Sequence, residues 1–320
     1  MRVLLVKLSS LGDVIHNLPV VTDLLRAFPG IRIDWVTESP YAEVIKLHPG
    51  ISQVLQVHLR WLKKSWWRDA PWLQLERDRQ AMVEEDYDAV LDTQGLVKSV
   101  MVARWVEGQR YGFSRQSARE PFASRFYDRT FDIPKGEHAV TRNRKLAAAA
   151  FGYVMPVQFD YGIAADPALP TWLAASPYAV LLHATSRPDK QWPQTHWVAL
   201  GQQLNKRGLK IVLPWGNEIE MQTSKAIAAQ LDDAVVPPAI SLAEAATVLA
   251  GAMAVVGVDT GLAHLAVALG RPAVGIYVST SPALTGLFGS ANAVNLGGGS
   301  KSAPTIPSVD TVLGSLPLPG

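Results

Sequence analysis

"RVLLVKLSSLGDVIHNLP", residues 2–19, begins with a continuous apolar run and passes through a Ser-Ser-Leu-Gly-Asp loop into a helical pattern. A strand that is apolar at every position is typical of a parallel sheet, because such a strand is buried on both faces. Gly12 lets the backbone approach a ligand closely, and Asp13 falls at or near the start of the helix. This stretch therefore predicts the first strand–loop–helix unit of an open, doubly wound α/β sheet.

Apolar runs of the same kind recur along the rest of the chain. Strands are predicted at 31–36, 87–95, 178–184, 209–216, 253–261 and 272–278, and helical spacing is found at 73–87 and 197–208. Residues 154–177 are instead rich in proline and small side chains, which is typical of a linker. The sequence thus predicts an α/β fold with two Rossmann-like domains that face a central cleft, at 1–155 and 178–320, with a linker at 156–177. After residue 290 we expect at most one short helix, and packing of this tail back on the N-terminal domain is left open.

Composition and charge restrict the class of protein. The chain has 320 residues, 48% of them hydrophobic and 18% charged, so it can bury a sizeable core in two domains. The net charge is +2, but residues 1–160 hold 22 basic and 19 acidic side chains, whereas the remainder holds 8 and 9. An acidic partner is therefore expected to meet the first half.

Several features are missing from the sequence. There is no cysteine, which excludes disulfides, thiol nucleophiles and thiolate metal sites and fits a reducing compartment. The first apolar run is too short for a signal peptide, and no stretch approaches the roughly 20 apolar residues of a spanning helix. The histidines lack metal-ligand spacing, and there is no G-x-x-x-x-G-K-[ST] loop. We expect a cytoplasmic protein that could touch a membrane surface, with no feature that requires a divalent metal.

Polar segments follow three of the predicted strands, at the edge where such sheets bind ligands. Asp13 in the first segment is either a helix N-cap or a general base for an acceptor hydroxyl, and the local sequence favours the cap. The second segment, HATSRPDKQWP at 183–193, combines the hydroxyls of Thr185 and Ser186 with the cations Arg187 and Lys190. This mixture suits a diphosphate, although an ordinary solvated loop would look similar.

The third segment is DTGLAHLAVALG at 259–270, where Asp259 ends a strand and Thr260 and Gly261 open a helix. Free backbone N–H groups at that terminus could hold an anion. Asp259 could instead be an N-cap, and His264 alone is more typical of a buried, hydrogen-bonded histidine. In a weaker segment, 214–220, Glu218 or Glu220 could accept from a ribose hydroxyl or be an ordinary charge on the first helical turn.

The stretch LRWLKKSWWRDAPW, residues 59–72, interleaves basic residues with tryptophans, and further arginines follow over 98–129. This pattern suits phosphate or carboxylate groups near an apolar phase, because tryptophan favours the headgroup zone of a membrane. It could also be a solvated face whose tryptophans pack inward. Single-stranded nucleic acid is a further reading, but no RNA-binding motif accompanies the stretch, so nucleic acid is not expected as a partner.

Seven stretches occur in the order of a known family: VKLSSLGDVIHNLP, DTQGLVKS, SAREPFASRFYDR, HAVTRNR, LHATSRPDKQWP, LPWG and VDTGLAHLAVALGRP. Together they resemble the lipopolysaccharide heptosyltransferases, from residue 1 to about 290, and the loop at 183–193 is most similar to that of the type I members. The resemblance implies a GT-B glycosyltransferase with an acceptor-binding N-terminal domain and an ADP-heptose-binding C-terminal domain.

The activity that the resemblance implies is an inverting transfer of L-glycero-D-manno-heptose from ADP-heptose to the inner Kdo of Kdo2-lipid A. This reaction belongs to inner-core biosynthesis of lipopolysaccharide in Gram-negative bacteria, and the enzyme would be peripheral on the cytoplasmic face of the inner membrane. No tightly bound cofactor is implied. Heptosyltransferase II, or another GT-B transferase that uses a different nucleotide sugar, stays an alternative. So does a binding module that senses a nucleotide without chemistry.

The resemblance also implies roles for individual residues. Asp13 matches the general base, and four basic residues match acceptor-side positions: Arg60, Lys64, Arg119 and Arg142. Eight residues match the donor site: Thr185, Ser186, Lys190, Glu220, Asp259, Thr260, Gly261 and His264. Ser186 departs from the threonine of the family pattern but keeps a hydroxyl. The surroundings of Glu220 diverge from the pattern, so Glu218 stays possible as the ribose ligand.

Overall fold

The computed structural model describes residues 1–173, 175–185 and 187–316, so the candidate donor-site residue Ser186 lies outside the described residues. The chain divides into two compact units, Met1–Ile163 and Ala164–Gly320. The predicted linker, 156–177, spans this division. Among the described residues, no helix combines the length and the apolar character needed to cross a membrane.

The first unit is built on a sheet of six parallel strands: β1 (Arg2–Val6), β2 (Arg32–Glu38), β3 (Gln53–Val57), β4 (Ala89–Asp92), β5 (Gln109–Phe113) and β6 (Arg129–Phe131). Their order across the sheet is β3-β2-β1-β4-β5-β6. The chain starts in the middle, runs to one edge and then returns to the other side of β1. The reversal between β1 and β4 is the switch point at which doubly wound sheets bind ligands.

Helices connect these strands: α1 (Leu11–Ile15), α2 (Leu18–Ala27), α3 (Ala42–Ile45), α4 (Leu59–Ser65), α5 (Asp69–Val83), α6 (Val97–Ala103) and α7 (Ala139–Phe151), with 3-10 turns at Ser39–Tyr41 and Pro121–Phe126. The predicted strand at 2–8 is confirmed, since β1 is paired on both sides and its residues Val3–Val6 are buried. The helix predicted at 73–87 lies at Asp69–Val83 instead.

The second unit repeats the same plan with six parallel strands: β7 (Tyr178–Leu182), β8 (Lys210–Val212), β9 (Ala234–Val235), β10 (Ala254–Val258), β11 (Ala273–Tyr277) and β12 (Ala293–Gly297). Their order is β12-β11-β10-β7-β8-β9, so the switch point lies between β7 and β10. Every residue of β7, β10 and β11 is buried, which explains why these continuous apolar runs could be predicted.

The helices of the second unit are α8 (Gln194–Lys206), α9 (Glu218–Ala228), α10 (Leu242–Ala250), α11 (Gly261–Ala268), α12 (Pro282–Thr285) and α13 (Val309–Gly314), with a 3-10 turn at Pro188–Lys190. The short helix expected in the tail is α13. Val312 and Leu316 are buried in the core of the second unit, beside Trp192 and Trp197. The expectation of at most one short helix after residue 290 is wrong in one respect, because the tail also supplies the strand β12, which extends the sheet beyond β11.

A buried ion pair joins α2 to α7 in the first unit. The Arg144 guanidinium donates to both carboxylate oxygens of Asp23, at 2.6 and 3.1 Å, and both side chains are almost fully buried. Arg144 also donates to the carbonyls of Pro156 and Gln158. One cation therefore satisfies a buried carboxylate and ties the segment after α7 to the body of the unit.

We predict that Asp23→Ala lowers the free energy of unfolding by about 3–5 kcal/mol, because it leaves the Arg144 charge buried without its partner. The double variant Asp23→Leu/Arg144→Met should lose less than the single variant, since both charges are gone. Urea denaturation of the parent and both variants measures this. A loss below about 1 kcal/mol for Asp23→Ala would contradict a structural role for the pair.

Candidate active site

Asp13 lies in helix α1, shortly after β1. Ser10 is the N-cap residue of this helix, and its backbone N–H and its hydroxyl donate to Asp13 Oδ2 at 3.0 and 3.1 Å. The prediction that Asp13 itself is the N-cap is therefore wrong: it is the third helical residue and closes a capping box with Ser10. Both bonds go to one oxygen, so the capping contact engages half of the carboxylate.

Asp13 lines a cavity of about 340 Å³ near the carboxyl ends of β1 and β4. The other lining residues are Ser9, Ser10, Gln94, Leu96, Lys98, Arg119 and Glu120. Two residues that the resemblance assigns to the reaction, Asp13 and Arg119, are thus brought together by the fold. Lys98 adds a second cation, and its Nζ donates to Ser9 Oγ at 2.8 Å. The cavity therefore combines two carboxylates, those of Asp13 and Glu120, with two cations that could bind an anionic ligand.

The wall of the cavity is fixed by the polar loop after β4. The Gln94 side chain accepts from the backbone N–H of Leu8 at 2.6 Å and donates to the Ser9 carbonyl at 2.7 Å. Behind it, the buried Asp92 carboxylate accepts from the backbone N–H groups of Gln94 and Gly95. The side chain of Gln94 therefore joins the loops on the two sides of the switch point.

Lys7 is a buried cation behind this cavity, at the end of β1. Its Nζ donates to the Thr93 carbonyl at 2.6 Å. Burial lowers the pKa of Lys7 to about 8, although the carboxylates of Asp13 and Asp92 oppose the shift. Lys7 therefore places a titratable positive charge close to the candidate base.

The remaining acceptor-side residues take different positions. Arg142 donates to the Ser117 carbonyl at 2.7 Å and stacks on the Phe113 ring at 4.8 Å, so it supports the loop that carries Arg119. Burial lowers the pKa of Arg142. Arg60, at the start of α4, stacks on the Tyr41 ring at 5.1 Å.

Arg60 and Lys64 are not among the described residues that line the Asp13 cavity. The backbone N–H of Arg60 donates to the Glu38 carboxylate at 3.3 Å, and burial raises the pKa of Glu38. Lys64 follows one helical turn later and is exposed. Arg60 and Lys64 are therefore basic groups on the helix that follows β3, not part of the cavity wall.

On the donor side, an ion pair connects the loops after β7 and β10. Lys190 Nζ donates to Asp259 Oδ2 at 2.5 Å, and the side chains of both residues are largely buried. Thr280, which follows β11, donates to the same oxygen at 3.0 Å. Thr185 Oγ1 donates to the Asp259 carbonyl at 3.4 Å. Three residues of the predicted donor site thus lie together at the switch point of the second sheet.

A second ion pair holds the outer part of this loop. The Arg187 guanidinium donates to the Asp189 carboxylate, and Ser279 donates to Asp189 Oδ2 at 2.7 Å. The bonds from Arg187 and Ser279 hold the pKa of Asp189 well below its usual range. The cation of Arg187 is therefore already paired with a carboxylate in the same loop.

The helix N-terminus predicted at residue 260 is present. Thr260 is the N-cap residue of α11, and among the described residues its side chain makes no capping hydrogen bond. Gly261 is the first helical residue, and both are partly accessible. His264 is buried on the same helix, as the structural reading of that residue expects. The first N–H groups of α11 therefore lie beside the Lys190–Asp259 pair, where an anion could be held.

The two candidate ribose ligands differ in their surroundings. Glu220 accepts from the backbone N–H of Gly216 at 2.8 Å, and its own backbone N–H donates to the N-cap residue Asn217 at 3.0 Å. Its carboxylate is thus directed to the loop at the end of β8. Glu218 is exposed at the start of α9. Of the two carboxylates, Glu220 is the one that the structure ties to a strand end.

Some residues of the two sites were not singled out from sequence. These are Lys7 and Gln94 in the first unit, and Ser279 and Thr280 in the second. Lys98 and Glu120 belong to the charged stretch 98–129 noted in the sequence, but they were not assigned to a site. Gln94 and the pair at 279–280 follow buried strands, so the rule that ligands bind at strand ends could have found them. Among the described residues, no group of three or more His, Asp or Glu side chains could hold a metal ion.

Two doubly wound sheets, each with polar loops at its switch point, form the architecture of a GT-B glycosyltransferase. The model of glycosyltransferase family 9 (heptosyltransferase) matches residues 76–312. Lipopolysaccharide heptosyltransferase 1 of Pseudomonas aeruginosa is 44% identical over 317 residues, which cover 96% of this chain and 86% of that protein. The chain belongs to glycosyltransferase family 9, the heptosyltransferases.

Solved structures agree with this assignment. Escherichia coli heptosyltransferase WaaC with ADP matches with a TM-score of 0.86 and 43% identity, over 92% of both chains. The same enzyme with ADP-2-deoxy-2-fluoro heptose matches with a TM-score of 0.84 and 40% identity, over 97% of this chain and 96% of that one. The predicted α/β fold of the GT-B type is therefore confirmed, as is the prediction of a glycosyltransferase.

The second unit contains a buried histidine whose charge state should control stability in acid. His183 follows β7, its Nε2 lies 2.7 Å from Ser224 Oγ, and burial lowers its pKa to about 4. The folded chain therefore keeps His183 neutral, whereas an unfolded chain takes up a proton below a pH of about 6.5. The stability that neutral His183 contributes is complete above that pH and is lost as the pH falls towards 4.

We predict that the parent loses about 2–3 kcal/mol of unfolding free energy relative to His183→Gln between pH 7 and 4.5. Glutamine keeps a polar partner for Ser224 and does not titrate. Urea denaturation of both proteins at a series of pH values gives the difference, in which the other titrating groups cancel. Parallel curves for the two proteins would show that His183 is protonated as easily in the folded state as in the unfolded chain.

Proposed function

We propose that the protein transfers L-glycero-D-manno-heptose from ADP-heptose to the inner Kdo of Kdo2-lipid A, in the synthesis of the lipopolysaccharide inner core. Membership of family 9 and the high identity to lipopolysaccharide heptosyltransferase 1 support this reaction. The matched structures that hold ADP and an ADP-heptose analogue support ADP-heptose as the donor. The observation that carries the proposal is the cavity in which Asp13 lies with Lys98 and Arg119, because it provides a base beside cations for an acidic acceptor.

We assign the acceptor to the first unit. Kdo carries a carboxylate and lipid A carries phosphates, and guanidinium groups bind both kinds of anion in a bidentate manner. Arg119 would hold the acceptor sugar in the Asp13 cavity, and Arg142 would fix the loop of Arg119 through the Ser117 carbonyl. Arg60 and Lys64, on the helix after β3, would meet acidic groups of the acceptor farther from the reacting hydroxyl.

The chemical step is a single displacement that inverts the anomeric carbon. Asp13 takes the proton of the acceptor hydroxyl while that oxygen forms a bond to the anomeric carbon. The bond from this carbon to the diphosphate oxygen breaks, and ADP leaves with the electron pair. The contact with Ser10 holds the Asp13 side chain through Oδ2, so one oxygen orients the carboxylate while the other can accept the proton.

The second unit would stabilise the charge that develops on ADP. An ammonium has three N–H donors, so Lys190 can bind a phosphate oxygen while it keeps its bond to Asp259. Thr185, Ser186, Thr260, Gly261 and the first N–H groups of α11 would add donors at the diphosphate. Donors placed where charge develops accelerate a reaction more than donors that bind the ground state.

Residues of the second unit would also contact the ribose and the heptose of the donor. We assign the ribose to Glu220 rather than Glu218, because the Gly216 N–H holds its carboxylate at the end of β8. His264 and Asp259 would contact the heptose side of the donor. The acceptor is a membrane lipid, so the enzyme would work as a peripheral protein at the cytoplasmic face of the inner membrane.

The direct test is to incubate the protein with ADP-heptose and Kdo2-lipid A, or its deacylated form, and to weigh the product by mass spectrometry. We expect the mass of the acceptor to rise by that of one heptose. Transfer only to an acceptor that already carries a heptose would favour a type II activity. Tight binding of ADP without any transfer would favour a nucleotide-binding module.

We predict that Asp13→Asn slows transfer by about a hundredfold to ten-thousandfold, because the amide cannot accept the proton. The affinity for ADP should not change, and neither should the thermal unfolding temperature, since asparagine keeps an oxygen for the contact with Ser10. Ser10→Ala is the matched control, as it removes a capping bond and leaves the carboxylate. A rate for Asp13→Asn within about tenfold of the parent would make Asp13 only a partner of Ser10 in the capping box and not a base.

We predict that Lys190→Ala raises the dissociation constant for ADP by about tenfold to a hundredfold and also slows transfer, because a charge-assisted hydrogen bond to the diphosphate is lost. Isothermal titration calorimetry with ADP measures the first effect. Lys225→Ala, at an exposed position of α9, is the control for loss of a positive charge. An ADP affinity of Lys190→Ala equal to that of the parent would remove Lys190 from the site.

A further inference from the structure

Four of the ten tryptophans lie within twelve residues on the surface of the first unit. Trp66 and Trp67 are each 65% exposed, Trp72 is 51% exposed and Trp61 is 42% exposed. Leu73 follows with 61% exposure. We call residues 59–73, which cover α4 and the start of α5, the tryptophan segment. Large aromatic side chains are usually mostly buried, so this concentration on a surface points to a partner.

The tryptophan segment touches the core of the first unit through Leu59, and its Pro71 is buried, but its four tryptophans stand outside that core. None of the seven residues of α4, all of which the structure describes, is buried. The segment is held from one side instead: His58, just before α4, donates its backbone N–H to the buried Asp78 carboxylate of α5 at 2.9 Å. The Asp78 carboxylate also lies 3.0 Å from Nδ1 of His58. The fold thus anchors the base of the segment and leaves its aromatic side chains accessible.

The indole rings are nevertheless ordered relative to one another. The rings of Trp66 and Trp67 lie edge to face, with centroids 6.2 Å apart and planes at 84°. The Trp72 indole N–H donates to the Trp66 carbonyl at 2.8 Å. Rings that are fixed before binding lose little conformational entropy when they meet a partner, so the segment is prepared for contact.

The charges of the segment indicate which partner it meets. Arg60, Lys63, Lys64 and Arg68 are exposed among the tryptophans, with Asp69 as the one acidic side chain of residues 59–73. Tryptophan prefers the boundary between lipid headgroups and acyl chains, and basic side chains are attracted to anionic headgroup phosphates. Bases of nucleic acid would need rings that present open faces in series, whereas Trp66 and Trp67 pack edge to face.

We propose that the tryptophan segment is a membrane-docking surface, which inserts its indole rings into the interface of an anionic lipid bilayer and sets Lys63 and Arg68 against the headgroup phosphates. The position in the fold supports this. The segment follows β3, and β3 runs parallel to β1, so it emerges at the same edge of the sheet as the Asp13 loop. A docked segment would keep that edge near the membrane. The proposal rests on the proposed function only in that the acceptor is a lipid of that membrane.

Binding to vesicles tests the proposal without any substrate. We expect the parent to sediment with vesicles of phosphatidylethanolamine and phosphatidylglycerol, and much less with phosphatidylcholine alone. Trp66→Ser/Trp67→Ser should bind the anionic vesicles at least about tenfold more weakly, because two rings are lost from the interface. Lys63→Glu/Arg68→Glu should weaken binding at low salt and have less effect at high salt. Ile219→Ser, at an 82% exposed apolar residue of the second unit, is the matched control.

A second measurement separates docking from the reaction itself. With a deacylated, water-soluble acceptor, Trp66→Ser/Trp67→Ser should react at the rate of the parent, and with acceptor embedded in vesicles it should react more slowly. If neither the parent nor the variant transfers heptose to either acceptor, the proposed function is wrong. The vesicle-binding result would still decide the docking proposal, because it needs no substrate. Circular dichroism and thermal unfolding establish that each variant is folded.

Three results would overturn the docking proposal: no binding of the parent to anionic vesicles, equal binding of parent and Trp66→Ser/Trp67→Ser, or binding of a single-stranded oligonucleotide through these tryptophans in place of vesicles.

Discussion

The position of the first strand in each sheet is the constraint on which both candidate sites depend. β1 pairs with β2 on one side and with β4 on the other, and β7 is placed in the same way between β8 and β10. Right-handed crossovers then carry the chain away from the central strand in opposite directions on its two sides. In the first sheet the loops after β1 and β4 therefore leave in opposite directions, and in the second sheet the loops after β7 and β10 do the same. The space between each pair of loops has room for side chains such as Asp13 in the first sheet and Lys190 in the second.

The charges at these strand ends are arranged so that few are left without compensation. Lys190 is paired with Asp259, and the Asp259 oxygen is further shared with Thr280. An unpaired cation at such a buried position would be costly, because removal from water is not offset. Asp259 thus holds the Lys190 ammonium in place. Lys98 differs, because its ammonium donates to the neutral hydroxyl of Ser9.

The strands that were predicted are those whose apolar runs are continuous, such as β1 and β10. β9 has two residues and β6 has three, and neither forms a pattern long enough to recognise. The residues of the candidate sites also differ in how visible they are in the sequence. Lys190 and Asp259 could be singled out because they stand in polar clusters that follow long apolar strands. Only the sheet order reveals that Thr280 bonds to Asp259.

Asp13 shows a different limit of the sequence. The pattern Ser10-x-x-Asp13 is a readable capping box, yet the capping reading was placed on the wrong residue. The correction matters for chemistry, because both contacts with Ser10 go to Oδ2 of Asp13 and leave its other carboxylate oxygen outside the capping box. Lys98 and Arg119, far apart in sequence, join Asp13 only through the parallel pairing of β4 with β1 and β5. No local pattern contains this information.

The tryptophan segment could be recognised as unusual from sequence, but not as exposed. A pattern of tryptophans at irregular spacing is compatible with rings that pack inward, and the alternation with basic residues does not exclude it. The structure decides the point, because the four tryptophans are between 42% and 65% exposed. Such large apolar side chains would gain more from full burial, so the reason for their exposure lies in what the surface contacts. That surface follows β3, and the Asp13 loop follows β1 in the same parallel sheet, so the tryptophan segment and Asp13 lie at the same edge of that sheet.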